Sequence, residues 1–598
     1  MKDIERADLE GPKIDRRTAV KLLSAAGMAG AAGCLGGGGD GGDGASDGGD
    51  GGDTGDGGDG GDGGDGGTST STEESGTPAS TGGTLTAGWL TDQIEFLDPH
   101  MVDKGTQIAI HSNIFNGLLK IDQEGQIVGD AAEDWSLPDE STFVFTLADG
   151  ITFHNGEPLD AAAVKWSLER LQGMDTSPHV GKVSTVDEIE ADGLELTVHL
   201  SQPYAPFVSF MLRGPGRAGT IVPEVADENP DEFNRMPIGS GPFQMADRSP
   251  GESLTLEAYD DYWETDADGN SLPYLDGVEI QLIPEPSTMW SAVEGGAVQY
   301  SNLITGQFAQ QAQGRDDIRV EATSSGEWNT IAPLCTNPAE HTETVKWISG
   351  FDEVTQQWND EPPATSDPRV RRAIAKAIDR EAIVERAWFG FAVPAHLLYN
   401  PAIGWLNDAL GGEEPDVGQF YDPEGARELL DEAGYTGDPR LEFSILALPE
   451  DERELTVVQQ QLSEVGIEMT LDIQQASSYW DNTYRYEQSL VAYGGAADVD
   501  PWMSDFKQLG MPDQETGEGA WQRSLYFDEE FSELLHEANA SPDLEERAGV
   551  YEDVVEKFVE DAPFAMTTFP LNPKAFAGVT GVGVQAGLSN FHSASLEE

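Results

Sequence analysis

A tract built almost entirely from glycine and aspartate, residues 36–67, limits where this chain can begin to fold. A Ser/Thr-rich piece follows it to residue 83. Segments with so few apolar side chains cannot bury enough surface to offset the conformational entropy that ordering costs. The composition therefore predicts a disordered tether over residues 34–83, with a random-coil reach of roughly 40 Å. The folded body should start near residue 84.

An export pattern precedes the tether. Arg16 and Arg17 form a twin-arginine pair, although Ala19 stands where an aromatic residue is usual. The weakly apolar run that follows, residues 19–32, is too short to span a bilayer and is typical of a signal peptide. We therefore expect the protein to be exported from the cytoplasm.

The run ends in small residues immediately before Cys34, a pattern similar to a lipobox. In a lipoprotein the peptidase cuts before such a cysteine, and the freed thiol takes a lipid. The pattern predicts a twin-arginine lipoprotein signal peptide over residues 1–33 and a lipid anchor on Cys34. The alternative is a soluble secreted protein that is cut nearby, in which the cysteine has no role.

The chain carries 109 acidic and 33 basic residues, a net charge of −76. Self-repulsion of this size weakens a compact state at low salt, whereas at about 1 M salt the Debye length shrinks to roughly 3 Å. The acidic excess continues past the tether into the body, so we interpret it as halophilic adaptation. Nucleic acid is excluded as a partner because its phosphates would be repelled.

No disulfide framework or hydrolytic motif is visible in the sequence. Cys335 is the second of two cysteines and is predicted to be a small buried hydrophobe rather than a reactive thiol. From residue 84 onward, neither a Gly-x-Ser-x-Gly elbow nor a His-Glu-x-x-His pair occurs. Residues 266–270 resemble part of a calcium loop but lack its terminal glutamate, which predicts a plain turn.

From residue 84 onward, short strand patterns alternate with amphipathic helices, which predicts an α/β body. Asp-Pro pairs at 367–368 and 422–423 each predict an N-cap followed by a first-turn proline. A helix from about residue 452 to 465 should lead into an alternating strand over 467–473. Ser541-Pro542 predicts the start of a further helix.

Several sequence blocks follow one another in a characteristic order. They are Ala132-Glu133-Asp134-Trp135, Ile151-Thr152-Phe153-His154-Asn155-Gly156-Glu157-Pro158-Leu159, Pro237-Ile238-Gly239-Ser240-Gly241-Pro242-Phe243, Tyr274-Leu275-Asp276-Gly277-Val278, Asp367-Pro368-Arg369-Val370-Arg371-Arg372-Ala373, Tyr421-Asp422-Pro423-Glu424 and Glu560-Asp561-Ala562-Pro563. In this order, over residues 84–598, they resemble the extracytoplasmic solute-binding proteins of family 5, the oligopeptide, dipeptide and nickel type. Residues 338–367 look like an insertion into that pattern, and the sequence leaves its role open.

The resemblance implies an α/β fold of the two-lobe, periplasmic-binding-protein-like flytrap kind, in the large type II class with an extra domain. The ligand would lie between lobes that close by a hinge motion. The expected divisions are lobe I over 84–115, 236–335 and 563–598, an inserted domain II over 116–235, and lobe III over 336–562.

The resemblance also implies the function. The protein would be the monomeric, non-enzymatic substrate-binding lipoprotein of an ABC importer, held at the outer face of the cytoplasmic membrane. It would capture peptides and deliver them to the permease and ATPase subunits, without a cofactor or a bound metal. Two alternatives stay open: the same role with an oligosaccharide or metal-chelate ligand, or a secreted acidic hydrolase or surface protein.

Peptide binders of this family hold the ligand's α-ammonium with an aspartate after a glycine-rich strand end. Asp498 stands at that position, where a carboxylate facing an ammonium would form a charge-assisted bond. Gly494, Gly495 and Ala496 would offer backbone groups to an extended ligand, as in strand addition. Gly495 replaces the aromatic residue that is usual there. Asp103 lies where peptide binders place a second acid.

Overall fold

The structure is a computed structural model, and it describes most of the chain after the tether. The described residues are 81–102, 105–122, 126–214, 218–324, 326–350, 362–399, 406, 420–496, 500–514, 517–541, 543–585 and 588–597. The predicted twin arginines, Cys34 and the tether lie outside them. Within these ranges, no helix is both long and apolar enough to cross a bilayer.

The chain alternates strands and helices, as its sequence predicts. The strands are β1 (Thr84–Trp89), β2 (Leu119–Ile121), β3 (Ile127–Gly129), β4 (Ala132–Asp139), β5 (Thr142–Leu147), β6 (Val186–Asp192), β7 (Glu195–Leu200), β8 (Phe243–Ser249), β9 (Ser253–Ala258), β10 (Gly277–Leu282), β11 (Tyr300–Ser301), β12 (Arg319–Ser324), β13 (Glu327–Pro333), β14 (Ala392–Pro394), β15 (Leu441–Ala447), β16 (Ile467–Ile473), β17 (Leu490–Ala496), β18 (Ala565–Phe576), β19 (Val579–Thr580), β20 (Gly583–Gln585), β21 (Leu588–Asn590) and β22 (Ser595–Leu596). The helices are α1 (Gly105–Ile114), α2 (Ala161–Gln172), α3 (Phe207–Phe210), α4 (Val225–Glu228), α5 (Pro230–Arg235), α6 (Pro286–Glu294), α7 (Gly306–Ala312), α8 (Thr342–Ser349), α9 (Pro368–Ala377), α10 (Arg380–Ala387), α11 (Pro423–Glu432), α12 (Glu452–Glu464), α13 (Ala476–Thr483), α14 (Trp502–Gln508), α15 (Glu529–Ala540) and α16 (Leu544–Asp561).

A twelve-stranded mixed sheet organises the fold. Its strands run in the order β16-β15-β17-β13-β18-β11-β1-β10-β9-β8, and β12 and β14 also pair with β18. We call β1 and β8–β12 half A of this sheet, and β13–β17 half B. The long strand β18 belongs to both, because its first residues pair with β13 and β14 and its last residues pair with β11 and β12.

The chain passes between the two halves at two places. One is β18 itself, and the other is the connection at 325–326 between β12 and β13. Both crossings meet at β18, since β12 and β13 are each antiparallel to it. Two crossings that lie close together in this way are a common place for a hinge in two-lobe proteins.

Half B shows why these residues form these elements. Asp367 accepts a hydrogen bond from Arg369 N, and Asp422 accepts one from Gly425 N, so both predicted N-caps are confirmed. The predicted strand over 467–473 is β16. Helices α9–α12 bury their apolar stripes against one face of half B, whereas α15 and α16 cover the other face. Each fully buried aliphatic or aromatic side chain contributes about 1.5–3 kcal/mol.

One predicted boundary is wrong. The helix expected from Ser541-Pro542 begins at Leu544, and its N-cap is Asp543, whose carboxylate accepts from Glu546 N at 2.9 Å. Ser541 is instead the C-cap residue of the preceding helix α15, and its hydroxyl donates to the Glu546 carboxylate. An aspartate three residues before an amide competes well for the cap position, and this local competition decides the start.

A separate four-stranded antiparallel sheet runs in the order β4-β5-β7-β6, with α2 packed on it. Phe143, Phe145 and Leu147 on β5 alternate into its core, as their spacing predicts. Residues 266–270 form the predicted turn, in which Asp266 accepts from the amides of Asp268 and Asn270.

Candidate ligand-binding site

The carboxyl ends of parallel strands mark the candidate site. In half B, β15 is parallel to β16 and β17, so the three strands end at one edge. In half A, β1 is parallel to β10 and β11. Open α/β sheets bind ligands just outside such edges. The predicted glycine-rich segment 494–496 is the carboxyl end of β17 and lies at this edge.

Trp328 explains the missing aromatic residue at position 495. Gly495 pairs directly with Trp328 across β13 and β17. A Cβ on Gly495 would lie 2.7 Å from Trp328 Cζ2, closer than real contacts allow. Trp328 is 1% exposed and stacks on Phe564, so its ring fills the space of the absent side chain. Gly494 is exposed at the strand end, and the structure describes only the backbone of Ala496.

Asp498 lies outside the described residues, but the structure shows what fixes the end of its segment. Asp500 is buried and forms two hydrogen bonds with Arg547, at 2.8 and 3.1 Å. It also accepts from the backbone N of Trp502, the first residue of α14, at 3.0 Å. Asp500 therefore has a structural role, and the neighbouring Asp498 is left as the predicted ligand carboxylate.

Asp103 also lies outside the described residues. The segment just before it is held by α2, the helix that packs on the four-stranded sheet. Arg170 of this helix donates to both carboxylate oxygens of Asp98, at 2.6 and 3.2 Å. Arg170 also contacts His100 Nδ1 at 2.8 Å, and Ser177 donates to the His100 carbonyl. Burial lowers the pKa of His100 to about 4, so this imidazole is neutral. These contacts bring the loop after β1 to a fixed position at the carboxyl edge of half A.

Residues 204 and 205, which follow β7 of the four-stranded sheet, contact α14 and α15, two helices that come after Asp498 in the chain. The rings of Tyr204 and Trp502 meet edge to face at 5.1 Å, and Trp502 stacks on Phe506 at 4.5 Å. The amide of Ala205 donates to the carbonyl of Asn539 at 3.1 Å. Among the described residues, the part of the chain that carries the four-stranded sheet is therefore in contact with the helices that follow Asp498.

A buried carboxyl group joins both hinge crossings. Glu454 Oε2 accepts hydrogen bonds from Asn329 Nδ2 on β13 and Thr568 Oγ1 on β18, and from Trp388 Nε1 at 2.7 Å. Burial raises the pKa of Glu454, and burial also raises the pKa of nearby Asp451 to about 6. The space beside them is about 10 Å³, which is at the lower limit for holding a single water molecule.

An arginine near the end of β17 is surrounded by aromatic rings. The Arg523 guanidinium carbon lies 3.8 Å from the ring centre of Tyr484, 4.9 Å from that of Tyr493 and 6.0 Å from that of Trp480. Tyr493 directly precedes the predicted segment 494–496, and Trp480 is on α13, just after β16. Arg523 therefore lies at the candidate site.

Sequence reasoning did not identify Trp328, Glu454 or Arg523. The first depends on the pairing of β13 with β17, strands that are far apart in the sequence. Glu454 looks like an ordinary first-turn acid of α12. One sequence signal could have pointed to Arg523. Basic residues are scarce in this chain, and this one lies close in sequence to several aromatic residues.

The described residues contain no group of three or more side chains that could hold a metal ion. Cys335 is a free thiol packed against the hydrophobic side chains around α15 and α16. The residue is only partly buried, so the predicted burial is incomplete, although the packing on apolar side chains agrees with a small hydrophobe. Burial of the sulfur raises the pKa of the thiol.

Comparison with known proteins agrees with this geometry. The glutathione-binding protein GsiB of Salmonella paratyphi A is 26% identical over 377 residues, which are 62% of this chain and 66% of that protein. The match thus spans just under two thirds of the relative's length. The structure is similar to DppA from Helicobacter pylori in complex with the peptide STSA, with a TM-score of 0.64 and 23% identity over 87% of this chain and 99% of DppA.

NikZ from Campylobacter jejuni in complex with Ni(L-His) gives a TM-score of 0.64 and 19% identity over 85% of this chain and 97% of NikZ. These likenesses confirm the predicted fold. Residues 126–514, well over half of the chain, match the middle part of one family model. With the sheet order and the strand ends described above, the match establishes that the chain belongs to the bacterial extracellular solute-binding proteins of family 5.

Proposed function

We propose that this protein is the substrate-binding component of an ABC importer and that its ligands are peptides. The single observation that carries the proposal is the glycine-rich end of β17, which is exposed at Gly494 and lies at the carboxyl edge, a few residues before Asp498 in the chain. Family membership supports the importer role, and the names of the glutathione-binding relative and the peptide-bound neighbour support the ligand class.

In this proposal, lobe I contains half A, domain II contains the small sheet, and lobe III contains most of half B. The lobes would close on the ligand by bending at β18 and at the 325–326 connection. The change of lobe would then fall before β13, and not at residue 335 as the sequence pattern implies, because β13 pairs with β17. The contact between Tyr204 and Trp502 would belong to the closed form. Because the open and closed forms differ in affinity for the ligand, binding would favour the closed form. The permease would recognise that closed form.

Calorimetry on Asp498→Asn tests the ligand class. A free peptide should bind the variant about 1.5–3 kcal/mol more weakly than the parent, because one charge-assisted hydrogen bond to its ammonium is lost. That loss is about ten- to a hundredfold in affinity. An N-acetylated peptide should bind the parent poorly and be nearly indifferent to the change.

Asp481→Asn is the matched control, because it removes the same charge from an exposed position on α13. It should leave binding unchanged. Equal losses for free and acetylated peptides in Asp498→Asn would mean that this carboxylate holds structure. If no peptide binds the parent, the ligand is instead an oligosaccharide or a metal chelate, and mass spectrometry of co-purifying molecules identifies it.

We further propose that the protein is held at the outer face of the cytoplasmic membrane by a lipid on Cys34. Cys34→Ser should release the mature protein into the medium, as fractionation would show. A variant that still sediments with membranes would contradict the anchor. Replacing Arg16 and Arg17 with lysine should instead stop export and leave precursor in the cytoplasm.

A further inference from the structure

Arg523 is a buried cation without a carboxylate. It is 5% exposed, and none of the ion pairs among the described residues includes it, although the chain has 109 acidic residues. Its Nη1 donates to the carbonyl of Trp521 at 2.7 Å, whereas its Nε has no hydrogen-bond partner. Burying a charge that is neither paired nor fully hydrogen-bonded is unfavourable.

Two other buried arginines, on the helices α9 and α10 that pack against half B, show how a guanidinium with a purely structural role is hydrogen-bonded in this protein. Arg371 donates to the carbonyls of Asp561 and Thr365, among others, and its bonds tie α9 to the end of α16. Arg380 donates to the carbonyls of Ala395 and Met566 from Nε alone, and Nη1 reaches further carbonyls. Both replace a counter-ion with several backbone acceptors, and Arg523 does not.

The aromatic rings around Arg523 hold the guanidinium without using its donors. Cation–π attraction acts on the face of the planar group, so its N–H edge stays available for a planar acceptor. Trp480, one of these rings, is 44% exposed, and Trp521, whose carbonyl accepts from Arg523, is 47% exposed. The Arg523 side chain therefore lies next to solvent-exposed aromatic residues near the carboxyl edge of half B.

From this arrangement we infer that Arg523 receives an anionic group of the ligand, in the first place a carboxylate. This inference rests on the proposed peptide-binding function and deepens it: Asp498 would take the ammonium, and Arg523 a carboxylate of the same molecule. A carboxylate matches the guanidinium fork with two parallel hydrogen bonds, and both groups would leave water together. The ligand would supply the counter-ion that the chain lacks at this position.

Calorimetry with free tri- to pentapeptides and the same peptides as C-terminal amides tests the inference. The parent should bind the acids at least tenfold more tightly than the amides. Arg523→Gln should lose that preference by weakening acid binding and leaving amide binding nearly unchanged. Because a buried pair is screened little, the preference should persist at molar salt. Arg386→Gln on α10 is the control, since it removes an exposed arginine from the same half and should change nothing.

Arg523→Lys serves as a second variant if the glutamine variant fails to fold. It keeps the charge but not the fork, so it should retain only part of the preference for acids. Equal weakening of acids and amides, or an equal affinity of the parent for both, would overturn the inference. A double-mutant cycle on the ligand-free protein gives a further check. If Asp498→Asn abolishes the effect of Arg523→Gln on the melting temperature, the two residues pair with each other and the inference is overturned.

Failure of the peptide proposal is a distinct outcome. If no peptide binds the parent, the molecules extracted from the purified parent and from Arg523→Gln are compared by mass spectrometry. The inference then requires a molecule with an anionic group that is present in the parent and depleted in the variant. A neutral molecule, equal amounts in both proteins, or no molecule in the parent contradicts it.

Discussion

At the scale of single residues, the most unusual group is the Glu454 carboxyl. It is buried at the hinge, it accepts three hydrogen bonds through one oxygen, and no cation is within ion-pair distance of it among the described residues. Burial raises its pKa, so at pH values between the unfolded and the folded pKa the folded protein binds a proton that the unfolded chain has released.

The pH dependence of stability tests this reading of Glu454. As pH rises above about 4.5, the unfolded carboxyl ionises while the folded one resists, so the free energy of unfolding should fall. Glu454→Gln mimics the protonated form and should make that fall smaller in urea melts between pH 4.5 and 8. A smaller fall should remain from Asp451, whose pKa is raised from 3.8 to about 6.

Glu454→Ala is the comparison variant. It leaves the Trp388 indole N–H without its acceptor and should cost about 1–3 kcal/mol at every pH. An unchanged pH slope in Glu454→Gln would show that the carboxyl is ionised in the folded protein.

Single residues are also where sequence reasoning reached least far. Asp498 and Asp103 came from their positions in a family pattern, and both remain predictions because they lie outside the described residues. Trp328 could not be assigned, because its ring reaches Gly495 only through the β13–β17 register. Arg523 likewise acquires its meaning from three rings on two other segments. Such contacts are set by tertiary packing, which leaves no local pattern.

At the scale of elements, local patterns predicted much more. The caps of α9 and α11 and the bounds of β16 follow from side chains within a few residues of each other. The misplaced start of α16 has the same origin, since Ser541 and Asp543 both offer a cap and the carboxylate wins. Element types were thus predictable, whereas the pairing of distant strands along β18 was not.

The bond between Asp500 and Arg547 makes the sharpest prediction for an element. Asp500→Asn should lower the free energy of unfolding by about 3–5 kcal/mol, because it leaves a buried guanidinium without its carboxylate. Urea unfolding at molar salt measures the loss. The double variant Asp500→Asn/Arg547→Met should lose much less than the sum of the two single losses.

The control for this prediction is Asp481→Asn, which should stay within about 0.5 kcal/mol of the parent. A loss of the same small size in Asp500→Asn would mean that the pair is solvated and does not fix the segment before α14. Together with the binding measurements on Asp498→Asn, this separates the two aspartates by role: one should move stability, and the other affinity.

At the scale of the whole molecule, charge dominates. The described residues show how few cations serve the acids: Lys557 alone contacts the carboxylates of Asp528, Glu530 and Asp561, at 3.1, 3.4 and 3.2 Å. Partial burial lowers the pKa of Lys557, but Asp561 and Asp528 raise it by more, so the net shift is upward. Most other acids have no lysine or arginine to pair with, since the chain has 109 acidic and 33 basic residues. The fold class followed from the order of sequence blocks, whereas this charge leads us to expect that the stability of the fold depends on salt.

The melting temperature should therefore rise steeply with salt. The Debye length is about 3 Å at 1 M salt and about 30 Å at 0.01 M. At low salt the exposed carboxylates therefore repel one another across the surface, and this repulsion favours the unfolded chain. Scanning calorimetry in KCl and NaCl should give the same rise for both salts, steepest at low concentration, as screening requires. A rise that is linear in salt and differs between them would indicate a general effect of salt on apolar burial. A flat melting temperature would mean that the acids are paired or distant enough not to interact, and the halophilic interpretation would be wrong.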